Sequence, residues 1–385
     1  MTLWRRLFWA SLGALAWTHA GYPAAAGVAA RFASRPVRKE GVKPSVSLIV
    51  AAHDEEEVIA RRLENLIALD FPPDRIEIVV ASDASTDGTD AIVEEVAARE
   101  PRVRLLRCPR GGKVAAQDLA VRSTAGEIVA FSDANAVWAP DALARLVQSF
   151  SDPDVAYVCG RLQLERPDGT NRESAYWRYE TWLRERESEL VSVTGGNGAI
   201  YAVRRTDYVE VDPRFGHDLS LPYVMVQRGR RAVYEPEAVA FEKPSRDLED
   251  EYRRKVRMFE HCWLIVLRGR MLRDVDPLYL AQLVSHRLLR YGSGLLHLSL
   301  LATSIGLAGR SRVCAAALAA QIAWLSLALA GRLRAPVPGA TLAYYYLLVS
   351  SATVVALARY LRFGVPAVWE KAEGTRVSSR SDETL

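Results

Sequence analysis

Ile76-Glu77-Ile78-Val79-Val80-Ala81-Ser82-Asp83 and Glu127-Ile128-Val129-Ala130-Phe131-Ser132-Asp133 decide the fold. Each is a short apolar run that reads as a buried strand, and each ends in an aspartate. The second run continues as Asp133-Ala134-Asn135. Ligands on a mostly parallel α/β sheet bind at the carboxyl ends of its strands. Two carboxylates there, one followed by a second oxygen ligand, suit a nucleotide diphosphate carried on a divalent cation.

The surrounding sequence supplies the rest of such a sheet. Val46-Ser47-Leu48-Ile49-Val50 is a short buried strand. Residues 55–69 have helical spacing, with Val58, Leu63, Leu66 and Ile67 on one face. Residues 89–99 predict a second helix and residues 103–106 another strand. Gly111-Gly112-Lys113 opens a third helix, and residues 140–150 predict a fourth, with proline near its first position. Strand and helix alternate, which argues for an α/β fold with a mostly parallel sheet wound with helices.

Of the 385 residues, half are hydrophobic and a quarter charged, which reads as a soluble domain averaged with something oilier. The length suits about two domains of ordinary size. A net charge of +4 without a long basic block gives no reason to expect a nucleic-acid partner. Cys108, Cys159, Cys262 and Cys314 have no metal-type spacing, so reduced thiols facing the cytosol are expected.

Residues 7–30 are nearly uncharged and carry Trp9, Trp17 and Tyr22; a span of about 20 apolar residues crosses a bilayer. A signal peptide is the rival reading. The length of the run, and Arg31, Arg35, Arg38 and Lys39 after it, favour a retained anchor with a cytoplasmic flank. Residues 278–308 begin as a cationic interfacial helix with His286, Arg287 and Arg290. Their second half, with residues 313–330 and 341–358, predicts three spanning helices. The expected division is an anchor and basic flank at 1–40, a catalytic domain at 41–255, interfacial and transmembrane helices at 256–365, and a polar tail at 366–385.

Several residues then carry chemistry. Asp83 ends its strand in the crevice, where its carboxylate would accept an N–H from a nucleotide base, while Asp87-Gly88 bends and Thr86 or Thr89 caps the next helix. Lys113 brings a point charge to a phosphate beside two glycines. Asp133 and Asn135, two apart, reach one Mg²⁺ or Mn²⁺ ion, unless they form an Asx turn. Gly195-Gly196-Asn197-Gly198 suits a loop against a sugar, with Gly196 and Asn197 in the sugar or acceptor pocket; a tight hairpin is the alternative. In His217-Asp218, Asp218 serves as a base toward an acceptor hydroxyl or as a helix cap, with His217 as a hydrogen-bonding neighbour. Arg253, Arg254, Lys255 and Arg257 lie on a helix, as a snorkelling face or as a clamp on a diphosphate, with Arg254 and Arg257 on one side.

Together these residues resemble the family 2 inverting glycosyltransferases, in particular the membrane-embedded type related to cellulose and hyaluronan synthases. The run Val46 to Glu56 looks like that family's first strand and turn, which places Ala52, Asp54 and Glu55 against the nucleotide sugar. Asp83 matches the base-binding aspartate, Gly112-Lys113 a Gly-Lys element, and Asp133-Ala134-Asn135 the Asp-x-Asp. Asp218 falls at the catalytic base, and residues 253–257 at the Gln-x-x-Arg-Trp element. Residues 369–376 resemble a cytoplasmic tail. The resemblance implies a GT-A-like domain in a multi-pass cell-membrane protein with its catalytic side in the cytoplasm. It implies a metal-dependent hexosyltransferase that moves a sugar, with inversion, from a UDP-linked donor to a saccharide or lipid-linked acceptor in cell-surface glycan or polysaccharide synthesis. Membrane lipid is an implied partner, and the sequence names no partner subunit. Asn135 stands where the family has aspartate, His217 where it has an acidic residue, and no Gln-x-x-Arg-Trp is present, so single additions are expected as readily as a polymer. A degenerate transferase acting as a membrane scaffold or sugar-binding protein is the alternative. A sugar-phosphate nucleotidyltransferase would need a basic glycine-rich loop where His53-Asp54-Glu55-Glu56-Glu57 stands.

Overall fold

Eight strands form one sheet: β1 (Val46–Ala52), β2 (Ile76–Asp83), β3 (Val103–Cys108), β4 (Ile128–Asp133), β5 (Val137–Trp138), β6 (Val155–Leu164), β7 (Tyr201–Arg204) and β8 (Arg231–Glu242). They belong to a computed structural model that describes residues 2–164, 175–244 and 248–366. The order is β3-β2-β1-β4-β7-β6-β8-β5. β1 pairs in parallel with β2 on one side and β4 on the other. The chain winds outward from β1 to β3 and then returns to β4 across β1. That reversal opens a crevice at the carboxyl ends of these strands. The register sets Ala51 level with both Ala81 and Asp133, so the two aspartate ends flank the same edge.

β1, β2 and β4 are covered on both faces, which is why they read as near-continuous apolar runs, while the edge strand β3 is only partly buried. Leu48, Val50, Ile78 and Val80 pack with Leu63 and Leu66 of the helix Ile59–Ile67 and Val93 and Val96 of the helix Thr89–Arg99. The alternate residues Ile49, Val79, Val129 and Phe131 pack on the opposite face. Their partners there are Ala116 and Ala120 of the helix Lys113–Arg122, and Leu221 and Met225 of the helix His217–Gln227. The period of two along each strand thus puts the helices that carry Lys113 and Asp218 on one side of the sheet.

The other half of the sheet is mixed. β7 is antiparallel to β4 and β6, β6 is parallel to β8, and β5 is antiparallel to β8. Gly160 pairs with Glu235 but Arg161 with Val239, so Pro236, Glu237 and Ala238 bulge from β8. Proline cannot donate to the ladder, and a bulge is where a strand tolerates it. The helix expected over 55–69 is shorter: the Glu55 carbonyl accepts the N–H groups of Val58 and Ile59, and a turn precedes Ile59–Ile67. The helix expected over 140–150 is Ala142–Gln148 followed by a 3-10 turn, Ser149–Ser151.

The chain divides into two compact units, one comprising Met1–Ala25, Asp247–Arg268 and Leu280–Val365, and the other holding the sheet. In the first, Arg312–Arg332 and Ala340–Phe363 are long and apolar enough to cross a membrane; at 21 residues the shorter is about 31 Å long, close to the ~30 Å of a hydrocarbon core. Two expected spans take different forms. Residues 7–30 are not one regular helix: Thr2–Ala16 and Tyr22–Ala33 are joined by a π-helical turn, Trp17–Gly21. Residues 278–308 bend by 64° between Pro277–Tyr291 and Ser293–Arg310, so among the described residues a third crossing is found only if that bent pair counts as one. Residues 369–376 lie outside the described residues.

Candidate active site

Two loops close the crevice. Asp54, just past β1, and Ala84, just past β2, both take left-handed backbone angles with φ of 53°. Such positions in non-glycine residues cluster where a site fixes the chain. The Asp54 carboxylate accepts the Thr86 N–H at 2.6 Å, and the Asp54 N–H donates to Ser85 Oγ at 3.2 Å. That N–H from Thr86 holds the Asp54 carboxyl below its usual range against the opposing effect of burial, with help from His53. The Glu55 N–H donates to Thr89 Oγ1 at 2.7 Å, and the Glu56 carboxylate accepts the Gly88 N–H at 2.7 Å. The acidic run after β1 is therefore a latch onto the loop after β2, and Ala52, the buried last residue of β1, lies at its root. The cap position of the helix Thr89–Arg99 is Gly88, not the threonine expected, and Asp87 just before it accepts the Thr89 N–H on Oδ1 at 2.9 Å.

Asp83 is buried at the end of β2. Its carboxylate accepts the N–H groups of Gly111 at 2.7 Å and Gly112 at 3.0 Å and forms an ion pair with Arg110. Gly112 needs its φ of 89° to turn that loop, a conformation that a side chain would oppose. Asp83 thus fixes the loop that delivers Lys113 to the crevice; nothing in the sequence pattern had marked Arg110 as its partner.

Lys113, Val114, Gln117, Asp133, Gly198, Tyr201, Gly216, His217 and Asp218 line a pocket of about 120 Å³ beside the ends of β1 and β4. Inside it Lys113 Nζ is ion-paired with Asp133. Burial pulls the Lys113 ammonium down, but Asp133, Asp218 and Glu242 together outweigh it, and its pKa lies above the usual lysine value. Asp218 shows the converse. Burial pushes its carboxyl above the usual aspartate value, Lys113 opposes this, and the negative charge of Asp133 adds to it. A carboxylate tuned upward beside a cation and a second carboxylate is a candidate proton acceptor.

The chain is similar to known proteins in sequence and in fold. Residues 47–211 match the Glycosyl transferase family 2 model. An N-acetylglucosaminyltransferase of Bradyrhizobium elkanii is 30% identical over 146 residues, which cover 37% of this chain and 73% of that protein. The chain belongs to the family 2 glycosyltransferases. A β-monoglucosyldiacylglycerol synthase of Synechocystis sp. is 38% identical over 126 residues, 32% of this chain and 26% of that enzyme. The homologous enzyme of Nostoc sp. is matched over 36% of its length, so the chain spans about a third or less of these two relatives. Among solved structures, a mannosyltransferase from Pyrobaculum calidifontis in complex with GDP-Man and Mn²⁺ superposes with a TM-score of 0.71 at 25% identity, over 94% of this chain and 98% of that one. The fold is GT-A-like.

Within this family 2 transferase the glycine-rich loop has a division of labour that its sequence concealed. Asn197, expected in the sugar or acceptor pocket, is held inside the loop: its amide donates to the Gly160 carbonyl at 2.7 Å and accepts the Ile200 N–H at 3.1 Å. Gly196 packs on Tyr157, where a Cβ would collide with the phenol oxygen. The pocket glycine is Gly198. A Cβ there would stand 3.0 Å from Lys113 Nζ and 3.1 Å from Asp133 Oδ2. The loop is irregular and follows the helix Ala175–Leu190, so it is no tight hairpin.

His217 lines the pocket but has both ring nitrogens engaged, Nδ1 with the Tyr201 hydroxyl at 3.2 Å and Nε2 with the Tyr208 hydroxyl at 3.4 Å. It stacks edge-on against Phe131 and positions Asp218 at the first turn of the helix His217–Gln227. Asp218 is not the helix cap; Gly216 precedes the helix. Behind Asp133, the buried Arg62 guanidinium donates to Ser132 Oγ at 2.7 Å and lies over Trp138, with burial pushing its pKa down to about 9 against the pull of Asp133 and Glu242. A fixed positive charge under the end of β4 was not legible in the sequence.

No group of three or more His, Cys, Asp or Glu side chains suited to a metal occurs among the described residues. Asp133 lines the pocket and fits a hard cation, because Mg²⁺ is commonly held by one or two carboxylates plus substrate phosphates and water, while the half-buried Asn135 two residues on is not among the residues lining that pocket. The ammonium already paired with Asp133 marks that carboxylate as a cation-binding group. Arg254 and Arg257 stand on the helix Leu248–Arg268 of the other unit, where Arg254 pairs with Glu251 at 3.3 Å.

Proposed function

We propose that this chain transfers a sugar from a nucleoside-diphosphate sugar to a hydroxyl of a saccharide or lipid-linked acceptor at a membrane, with inversion. The observation that carries this reading is the convergence of Asp218, Lys113 and Asp133 on one pocket, where burial favours an Asp218 carboxyl that titrates above its usual value. Asp83, which also holds the Gly111–Gly112 loop and pairs with Arg110, would accept an N–H of the base, which both uracil and guanine offer. Lys113 binds the diphosphate as a point charge. Asp133 and Asn135 would hold Mg²⁺ or Mn²⁺, which when bound neutralises charge on the departing diphosphate. Asp218 takes the proton of the acceptor hydroxyl as its oxygen attacks the anomeric carbon from the face opposite the nucleotide. The new C–O bond forms as the bond to the diphosphate oxygen breaks, and the nucleoside diphosphate leaves.

The GDP-Man and Mn²⁺ named for the solved mannosyltransferase support a nucleotide-sugar donor and a divalent cation. The glycolipid synthase among the relatives supports a lipid acceptor, as do the two helices long and apolar enough to span. Basic residues after the N-terminal helix support a cytoplasmic catalytic side.

Nucleotide release by the full-length protein in detergent or nanodiscs, with Mn²⁺ and GDP-mannose, UDP-glucose or UDP-N-acetylglucosamine, tests the reading. Release selective for one donor and stimulated by a lipid or saccharide acceptor is expected. Equal, acceptor-independent background from all three would overturn it.

A further inference from the structure

We infer that Gln117 reads a ring hydroxyl of the donor sugar and so helps to set which sugar is transferred. The inference rests on the proposed transfer reaction and deepens it.

Gln117 lies one helical turn after Lys113 on the helix Lys113–Arg122, so the two side chains share a face. That face lines the pocket with Asp133, Gly198 and Asp218. Gln117 is 1% exposed, and neither its amide nitrogen nor its amide oxygen has a hydrogen-bond partner among the described residues. Buried polar side chains nearly always have one, and an exception calls for an explanation. Its neighbours offer none. Lys113 and Asp133 hold each other, His217 is engaged by Tyr201 and Tyr208, and Asp118 is engaged by Tyr208.

The chemistry of the amide defines what it would take. A primary amide is uncharged and presents a donor and an acceptor side by side. A phosphate only accepts and a cation only donates, so either leaves half of the amide unmatched. A sugar hydroxyl does both. Lys113 and Asp133 place the diphosphate end of the donor in this pocket, and the group bonded directly to that diphosphate is the donor sugar. A site built to hydrogen-bond a substrate hydroxyl discriminates strongly against the analogue that lacks it.

The test uses the donor that the nucleotide-release panel identifies, with its 2-, 3-, 4- and 6-deoxy analogues, on the wild type, Gln117→Met and Gln117→Asn. For the wild type, one analogue is expected to fall about 100-fold or more in kcat/KM, following the penalty for an unmatched polar site. In Gln117→Met the ratio of kcat/KM for the parent donor to that for this analogue collapses to near one. Gln117→Asn, with a shorter amide, retains part of the discrimination. Each reading is a ratio of two donors on one protein preparation, so a lowered folded fraction cancels. A deoxy profile in Gln117→Met parallel to that of the wild type overturns the inference, and so does a change that follows the acceptor rather than the donor. Failure of the wild type to use any donor would instead remove the reaction on which the inference rests.

Discussion

Asp218→Asn should lower kcat by about 10²–10⁴, the usual contribution of a positioned general base, and leave nucleotide binding nearly intact. The variant keeps the size of the side chain and the Gly196 N–H to Asp218 carbonyl bond at 2.7 Å, so the glycine loop stays in place. It removes only the proton acceptor. A second reading of the same residue comes from pH. Asp218 must be ionised to act, and burial sets its pKa above the usual aspartate value of 3.8 despite Lys113. The kcat/KM of the wild type should therefore rise with pH along an acid limb that lies above 3.8. The effect on stability has the opposite sign. A carboxyl whose folded-state pKa is raised contributes stability below its unfolded pKa and loses it as pH rises through the folded value. At neutral pH its charge is a burden, so Asp218→Asn should melt no lower than the wild type. A variant that keeps full kcat would remove Asp218 from the reaction, and one that loses activity only by melting would make its role structural.

The second large effect is expected at Asp133. Asp133→Asn takes the carboxylate away from Lys113, from the fixed guanidinium of Arg62 and from any bound cation at once. Supporting groups alone shift metal affinity by about 10–100-fold, and a direct ligand should matter at least as much. The Mn²⁺ concentration for half-maximal activity should therefore rise by about tenfold or more, with a fall in kcat at saturating metal. Lys113 would also change: burial pulls its ammonium down, and Asp133 heads the charges that counter this. Initial rates across a Mn²⁺ titration check both parts. An unchanged Mn²⁺ dependence would mean that Asp133 serves Lys113 alone.

How much of this was readable follows from where each signal resides. β1, β2 and β4 were legible because buried parallel strands are continuous apolar runs, and the helix Thr89–Arg99 was legible from its own punctuation. β8 was not, since Glu235-Pro236-Glu237 interrupts it and only pairing with β6 across a bulge makes it a strand. The N-terminal helix hid its π-turn, because a gain of one residue per turn leaves composition unchanged. At the site, Asp83, Lys113, Asp133 and Asp218 stand at strand ends and helix starts, where local sequence already carries meaning. The fold gathers the last three around one pocket. Arg62, Gln117 and Gly198 were invisible for the opposite reason. An arginine on an amphipathic helix, a glutamine in a helix interior and one glycine of three acquire a role only from what the sheet brings opposite them. Asn197 illustrates the converse: a polar residue in a flexible loop that looks free to meet a ligand is consumed by holding the loop's shape.

The reaction we propose is a single displacement at the anomeric carbon with Asp218 as the base. The anomeric configuration of the first-formed product from an α-linked donor tests it most directly, read by NMR from the one-bond C–H coupling at that carbon. A β-linked product is expected. An α-linked product would require two displacements or attack from the nucleotide's own face, and would contradict it.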